Sequence, residues 1–126
     1  MLRMFVTAPF LNEETKDQIN YLCSLVKKAG FIDYCFSRDE KEFADSQEMM
    51  SRAKEEIEKS DCLLIDMTDK PTGRALEAGM AYALGKKVVV IMKKGTQIKD
   101  TTRGVSTLVI EYNNIDEIVA PLSRLV

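Results

Sequence analysis

The sequence predicts an α/β fold, a five-stranded parallel sheet wound on both faces by helices, and three observations carry that reading. Short apolar runs alternate with segments of helical periodicity along all 126 residues. The run Val88-Val89-Val90-Ile91-Met92 is apolar without interruption, as expected of a parallel strand covered on both sides. The length suits one domain, 1–126, and the chain shows no internal repeat, linker or low-complexity stretch.

The elements follow in order. Met4-Phe5-Val6 reads as a first strand ending at Thr7-Ala8-Pro9. Asn12 is expected to cap a helix with Glu13 and Glu14 in its first turn, because a short polar side chain satisfies free N–H groups there. Ile19, Leu22, Cys23 and Val26 recur at helical spacing, Lys27 and Lys28 suit the last turn, and Gly30 stops the helix. Residues 32–36 read as the second strand and residues 37–44 as a polar connection. Asp45-Ser46-Gln47-Glu48 has capping-box spacing and opens a helix expected to bury Met49, Met50, Ala53 and Ile57. Residues 62–66 form the third strand and residues 67–72 a loop. The next helix is expected to turn Leu76, Met80, Ala83 and Leu84 to the core and to close at Gly85. Residues 87–92 make the fourth strand, 93–106 a polar, glycine-containing segment, and 107–112 the fifth strand. Ile115, Ile118, Val119 and Leu122 mark a final helix. Such alternation implies right-handed crossovers and the strand order 2-1-3-4-5, a flavodoxin-like or Rossmann-like doubly wound sheet.

Composition excludes several function classes. Eighteen Lys and Arg stand against 20 Asp and Glu, a formal charge of -2, so nothing points to nucleic acid or to an anionic membrane. The apolar runs are too short to span a bilayer, and the N-terminus lacks a signal-peptide pattern; a cytoplasmic address is expected. Cys23, Cys35 and Cys62 fall in apolar faces and read as buried, reduced thiols. The chain has no histidine, which removes Ser-His-Asp and Cys-His arrangements and His-bearing zinc sites. No metal or cofactor is expected, since neither Gly-x-Gly-x-x-Gly nor a P-loop occurs.

Glu77 is the main candidate for chemistry. It lies in Gly73-Arg74-Ala75-Leu76-Glu77-Ala78-Gly79-Met80-Ala81, a small-residue helix that follows the strand ending in Asp66. The helix dipole is expected to keep it ionised, as a nucleophile or base; an ordinary surface glutamate is the alternative. Gly79 costs a helix about 1 kcal/mol relative to alanine, which implies close approach of a ligand or of another backbone, the sheet included. The crevice between strands one and three is expected to be lined by Thr7, Ala8, Pro9 and Phe10 on one side and Asp66, Thr68 and Asp69 on the other. Asp66 occupies the position of a receiver phosphoacceptor. That reading fails because Thr7-Ala8 and Asn113-Asn114 stand where an acidic pair and a lysine are needed. Lys93, Lys94, Lys99 and Arg103 read as solvated loop cations, with a grip on phosphate as the alternative.

The block 60–66, then 73–81, then Leu84-Gly85-Lys86-Lys87-Val88-Val89-Val90-Ile91 resembles the nucleoside 2-deoxyribosyltransferase family, which includes the 2'-deoxynucleoside 5'-phosphate N-hydrolases. Phe5-Val6-Thr7-Ala8-Pro9 stands for that family's aromatic-x-Ala-Gly-Pro, and Thr102-Arg103-Gly104 adds to the likeness. The resemblance implies that Glu77 attacks the anomeric carbon of a nucleoside or nucleotide and forms a glycosyl-enzyme. It implies Asp66 or Asp69 as acid or sugar-hydroxyl contact, and Phe10 stacking on the base. Phe5, Thr7, Ala8, Pro9, Thr68, Thr72, Gly73 and Arg103 would complete a substrate site. A homodimer or larger homo-oligomer is also implied, each site completed by a neighbour. Three positions depart from the pattern: Phe5 for a tyrosine, Ala8 for a glycine, and Pro71 for an Asp or Ser. The aspartate usual in the preceding helix would fall near Arg52 or Ala53. These departures motivate the second expectation, a non-catalytic nucleotide-binding or regulatory module of the same fold.

Overall fold

The computed structural model describes residues 1–40 and 42–126 and pairs five strands in parallel: β1 (Arg3–Thr7), β2 (Ile32–Cys35), β3 (Cys62–Asp66), β4 (Lys87–Lys93) and β5 (Leu108–Tyr112). Their order across the sheet is β2-β1-β3-β4-β5, as expected. Register follows from side-chain alternation: Phe5 pairs with Tyr34 on one side and Leu63 on the other, and Leu63 with Val88. One face carries Met4, Val6, Leu64, Val89 and Ile91, covered by α1 (Lys16–Lys28) and, after a 3-10 turn at Ile115–Ile118, by α6 (Val119–Ser123). The opposite face carries Phe5, Leu63, Ile65, Val88 and Val90. It is covered by α3 (Ser46–Glu58) through Ile57 and by α4 (Gly73–Ala83) through Ala78 and Ala81.

Several local expectations are corrected. α1 begins at Lys16 because the Asn12 side chain accepts from the Glu14 and Thr15 amides (2.8 and 3.0 Å), folding residues 12–15 into a turn of their own. β2 gives way at Phe36 to a short helix, α2 (Phe36–Asp39), where the Cys35 amide donates to the Asp39 carboxylate at 3.0 Å. Lys41, in the expected polar connection, lies outside the described residues. At α3 the Glu48 amide donates to Asp45 (2.8 Å), but the Glu48 side chain accepts from Ala44 (2.7 Å) and not from the cap residue. Ala53 and Ile57 are buried as expected, while Met49 and Met50 are only half-buried. The polar segment after β4 contains α5 (Asp100–Val105), six residues too short for a periodicity to register.

The largest correction concerns α4. Its sheet-facing residues are Ala78 and Ala81, with Met80 partly buried, whereas Leu76 is 67% exposed and Tyr82, Ala83 and Leu84 also face outward. The sheet beneath already presents Ile65, Val88 and Val90, so small alanines fit the remaining space. A Cβ added at Gly79 would meet nothing within 4 Å, so no close approach inside this chain explains that glycine.

Polar bonds tie the strand ends together. The Asp66 carboxylate accepts from the Thr68 amide and hydroxyl (2.9 and 2.6 Å) with one oxygen, and from the Tyr112 hydroxyl (2.6 Å) with the other. The Thr68 oxygen in turn accepts from the Lys93 amide at 3.0 Å, so β3, β4 and β5 share one network. The intervening loop turns on Lys70 at φ 50°, a left-handed conformation that costs a side-chain-bearing residue about 1 kcal/mol or more.

Two stability predictions follow from these contacts. In urea unfolding, Ile57→Ala is expected to cost about 2–5 kcal/mol, while Leu76→Ala stays within about 0.5 kcal/mol. Equal costs would contradict the orientation of α4. Tyr112→Phe removes a bond to a charged acceptor and is expected to cost about 1.5–3 kcal/mol, a loss that Thr101→Ala, on exposed α5, does not reproduce.

Candidate functional site

β1 and β3 are neighbours, yet α1 leaves β1 toward one face and α4 follows β3 on the other. A crevice must open where their C-terminal ends diverge. It holds a cavity of about 430 Å³, within the range of roughly 300–1,000 Å³ usual for small-molecule sites. Thr7, Ala8 and Pro9 form one wall, and Asp66, Thr68 and Asp69 another. Six of the seven residues expected to line the crevice are thus on its walls, and Phe10 is not.

Further groups complete the cavity, and of these the sequence nominated only Lys93, as a loop cation with a grip on phosphate as the alternative. Arg74 comes from the first turn of α4, Lys93 from the last position of β4, and Tyr112 and Asn113 from the end of β5. Gln18 and Tyr21 reach in from α1, and the Tyr21 hydroxyl bonds to Asp116. The rule that ligands sit beyond the carboxyl ends of parallel strands could have found Lys93 and Asn113. Gln18 and Tyr21 had no such signal, since helical spacing identifies the buried face of α1 but not which exposed residues look along the sheet.

Other expected residues stand apart from this wall. Phe5 is buried beneath it, packed against Tyr34 and Phe36. Phe10 is 86% exposed and is not on the cavity wall. Thr72 and Gly73 are exposed at the start of α4, and Arg103 is exposed on α5. None of these five lines the cavity.

Glu77 is half-buried, is not among the residues that line the cavity, and makes no ion pair among the described residues. Its neighbours include Thr7 and Arg74, both on the wall itself. Burial pushes its carboxyl above the ordinary 4.5; the Thr7 hydroxyl and the Arg74 guanidinium pull it back, and Cys35 adds to the rise. Burial thus opposes the ionisation that the helix dipole is expected to favour. Glu77 sits in the second turn, where the dipole has largely decayed, and desolvation dominates. Thr7 is 2% exposed and its hydroxyl oxygen closes no hydrogen bond of normal geometry, although the Glu77 carboxyl lies beside it. Among the described residues it is the one buried side-chain oxygen or nitrogen left in that state.

The two aspartates differ. Both Asp66 oxygens already accept from donors, three bonds in all, which ties this group to the strand ends. Asp69 is exposed at the rim. Burial first, and then the bond to Asp66, pushes the Tyr112 phenol up to about 12, so it stays a hydrogen-bond donor throughout the neutral range. Arg74 and Lys93 face the same space, and neither makes an ion pair among the described residues.

Three solved structures resemble the chain over nearly its whole length. A conserved protein from Enterococcus faecalis V583 superposes with a TM-score of 0.83 at 17% identity, covering 100% of this chain and 99% of its own. The CMP N-glycosidase of Clostridium botulinum gives 0.73 at 19%, covering 98% and 100%. A 2-deoxyribosyltransferase from Bacillus psychrosaccharolyticus gives 0.71 at 20%, covering 95% of each. At these identities the likeness is one of fold. No curated protein sequence matches the chain significantly. Residues 4–116 match the family model described as nucleoside 2-deoxyribosyltransferase, which spans nine-tenths of the chain, and the chain belongs to that family.

Proposed function

We propose that this protein breaks the N-glycosidic bond of a nucleoside or nucleoside 5'-monophosphate, with transfer of the sugar to water or to another base, and that Glu77 is the nucleophile. Membership of the family supports the class of reaction, as do structural neighbours that are a CMP N-glycosidase and a 2-deoxyribosyltransferase. The observation that carries the choice of Glu77 is its setting: a half-buried carboxyl, free of ion pairs among the described residues, between two residues of the cavity wall. A change of side-chain rotamer past Thr7 carries its oxygens into the cavity. One oxygen then bonds to the anomeric carbon as the carbon–nitrogen bond breaks, and the bonding pair leaves with the base, which takes a proton from Asp69 or water. Water or a second base next attacks the same carbon and passes its proton to Asp69 or to bulk water, while the carbon–oxygen bond to Glu77 breaks and its electron pair returns to the carboxylate. Asp66, with its oxygens already engaged, holds the strand ends in place.

The raised proton affinity of Glu77 suits this role, because a more basic carboxylate is a stronger nucleophile once ionised. We also read the protein as a cytoplasmic homo-oligomer. Its three free thiols are all buried, and α4 presents Leu76, Tyr82 and Leu84 to the exterior, a face suited to a second copy. The rival reading, a nucleotide-binding module without turnover, draws support from Phe5, which brings no hydroxyl to the site, and from the occupied Asp66.

Chromatographic detection of free base from a panel of deoxynucleosides and their 5'-monophosphates separates the two. Release from at least one substrate, reduced on the order of a thousandfold in Glu77→Gln, is the expected result. A silent panel together with nucleotide-induced thermal stabilisation would favour the binding module, and undiminished turnover in the variant would exclude Glu77. The rate is expected to climb with pH as Glu77 ionises, through a midpoint above 4.5. Stability runs the opposite way. A carboxyl whose folded pKa is raised contributes stability fully below its unfolded pKa and loses it as pH rises through the folded value. Glu77→Gln should therefore melt like the parent near pH 4 and above it at pH 7; a constant difference across that range would show that burial does not act on this ionisation.

A further inference from the structure

We propose that Arg74 and Lys93 form an anion subsite within the same cavity, so that the substrate is a nucleoside 5'-monophosphate and not the uncharged nucleoside. The inference rests on the glycosidic reading above and narrows it. Two cations from separate elements, the first turn of α4 and the end of β4, converge on one concave space. Elsewhere Arg3, Arg38 and Arg52 are each engaged by carboxylates at 2.7–3.2 Å. Arg74 and Lys93 have no such partner among the described residues, although two aspartates share their cavity. Asp66 makes no ion pair with either, and its oxygens accept instead from Thr68 and Tyr112. Two unpaired cations facing one cavity make a surface that an anion completes.

The placement suits a nucleotide. Arg74 and Glu77 are three residues apart on α4 and so lie on one side of the helix. In a nucleotide the 5'-phosphate lies only a few ångströms from the anomeric carbon, across the sugar ring. A sugar held with that carbon at Glu77 brings its phosphate within reach of Arg74, whose planar fork matches the oxygens of a phosphate monoester. Two further donors lie alongside. Thr72 at the cap position of the eleven-residue α4 makes no side-chain capping bond, which leaves the first amides of that helix without a side-chain partner. Thr7, on the same wall, keeps a buried hydroxyl that closes no hydrogen bond of normal geometry and has the Glu77 carboxyl beside it. Of the four loop cations that the sequence grouped as one possible phosphate grip, Lys93 alone lines the cavity; Lys94, Lys99 and Arg103 do not.

The test compares each deoxynucleoside with its 5'-monophosphate on the full chain by calorimetric titration, with base release measured in parallel. Glu77→Gln serves as a host in which binding is read without turnover. The monophosphate is expected to bind about tenfold to a hundredfold more tightly than the nucleoside, with inorganic phosphate competing. Arg74→Ala and Lys93→Ala should each remove about tenfold of that preference, read as the ratio of monophosphate to nucleoside affinity, and Arg74→Lys should fall between. Equal affinity for nucleoside and monophosphate, or a preference unchanged in both alanine variants, overturns the subsite. Base release from nucleosides without a monophosphate preference sinks the subsite and leaves the glycosidic reading standing. A monophosphate preference lost in the variants, with no base released from any compound, retires the glycosidic reading and keeps the subsite.

Discussion

The pairing of β1 with β3 governs the rest of the molecule, because the chain leaves these two adjacent strands toward opposite faces of the sheet. Each face must be covered, since every central strand carries large apolar side chains on both sides. With α1 committed to one face and α4 to the other, no element remains to close the gap above the strand ends. The cavity is thus a by-product of double burial, and its polar lining follows from the same cause. Strand termini and first helical turns are where buried apolar sequence ends, so Thr7, Asp66, Arg74 and Lys93 can meet there without entering the core.

Within that gap, environment separates two carboxyls that sequence alone would treat alike. Asp66 is surrounded by donors and locked to β4 and β5; its negative charge is spent on holding backbone and phenol in register. Glu77 has the opposite surroundings, few partners and much burial, with a single hydroxyl and a single guanidinium to moderate the desolvation. Groups of one chemical type can be driven to different tasks in this way. The surroundings of the first suit architecture, and those of the second fit the role proposed for it.

The topology was legible because it depends on features that local pattern reports directly. Cys62–Asp66 and the all-apolar stretch of β4 announce parallel strands, while Gly30 and Gly85, with φ of 106° and 75°, mark helix ends that only a left-handed residue closes neatly. What was not legible depends on relations between elements. The stripe of Leu76, Met80, Ala83 and Leu84 has correct helical spacing, but periodicity does not say which of two stripes meets the sheet, and the alanine stripe won on volume. Asn12 was read as the start of α1 because its preference for a helix cap and its preference for a local turn are the same chemistry. In the site, the residues on strand ends were foreseeable. The contributions of α1 and β5 were not, because they depend on how far neighbouring helices lean over the edge.

The alanines beneath α4 set a standoff distance. Ala78 and Ala81 bring this helix as near to β3 and β4 as a methyl group permits, and Glu77 shares a rigid segment with them. Whatever thickens that seam lifts the whole rod, and the acid is withdrawn from Thr7 by the same amount. Two of the blandest side chains in the protein thereby act as a gauge for the position of Glu77, the proposed nucleophile, as well as for the packing of the helix.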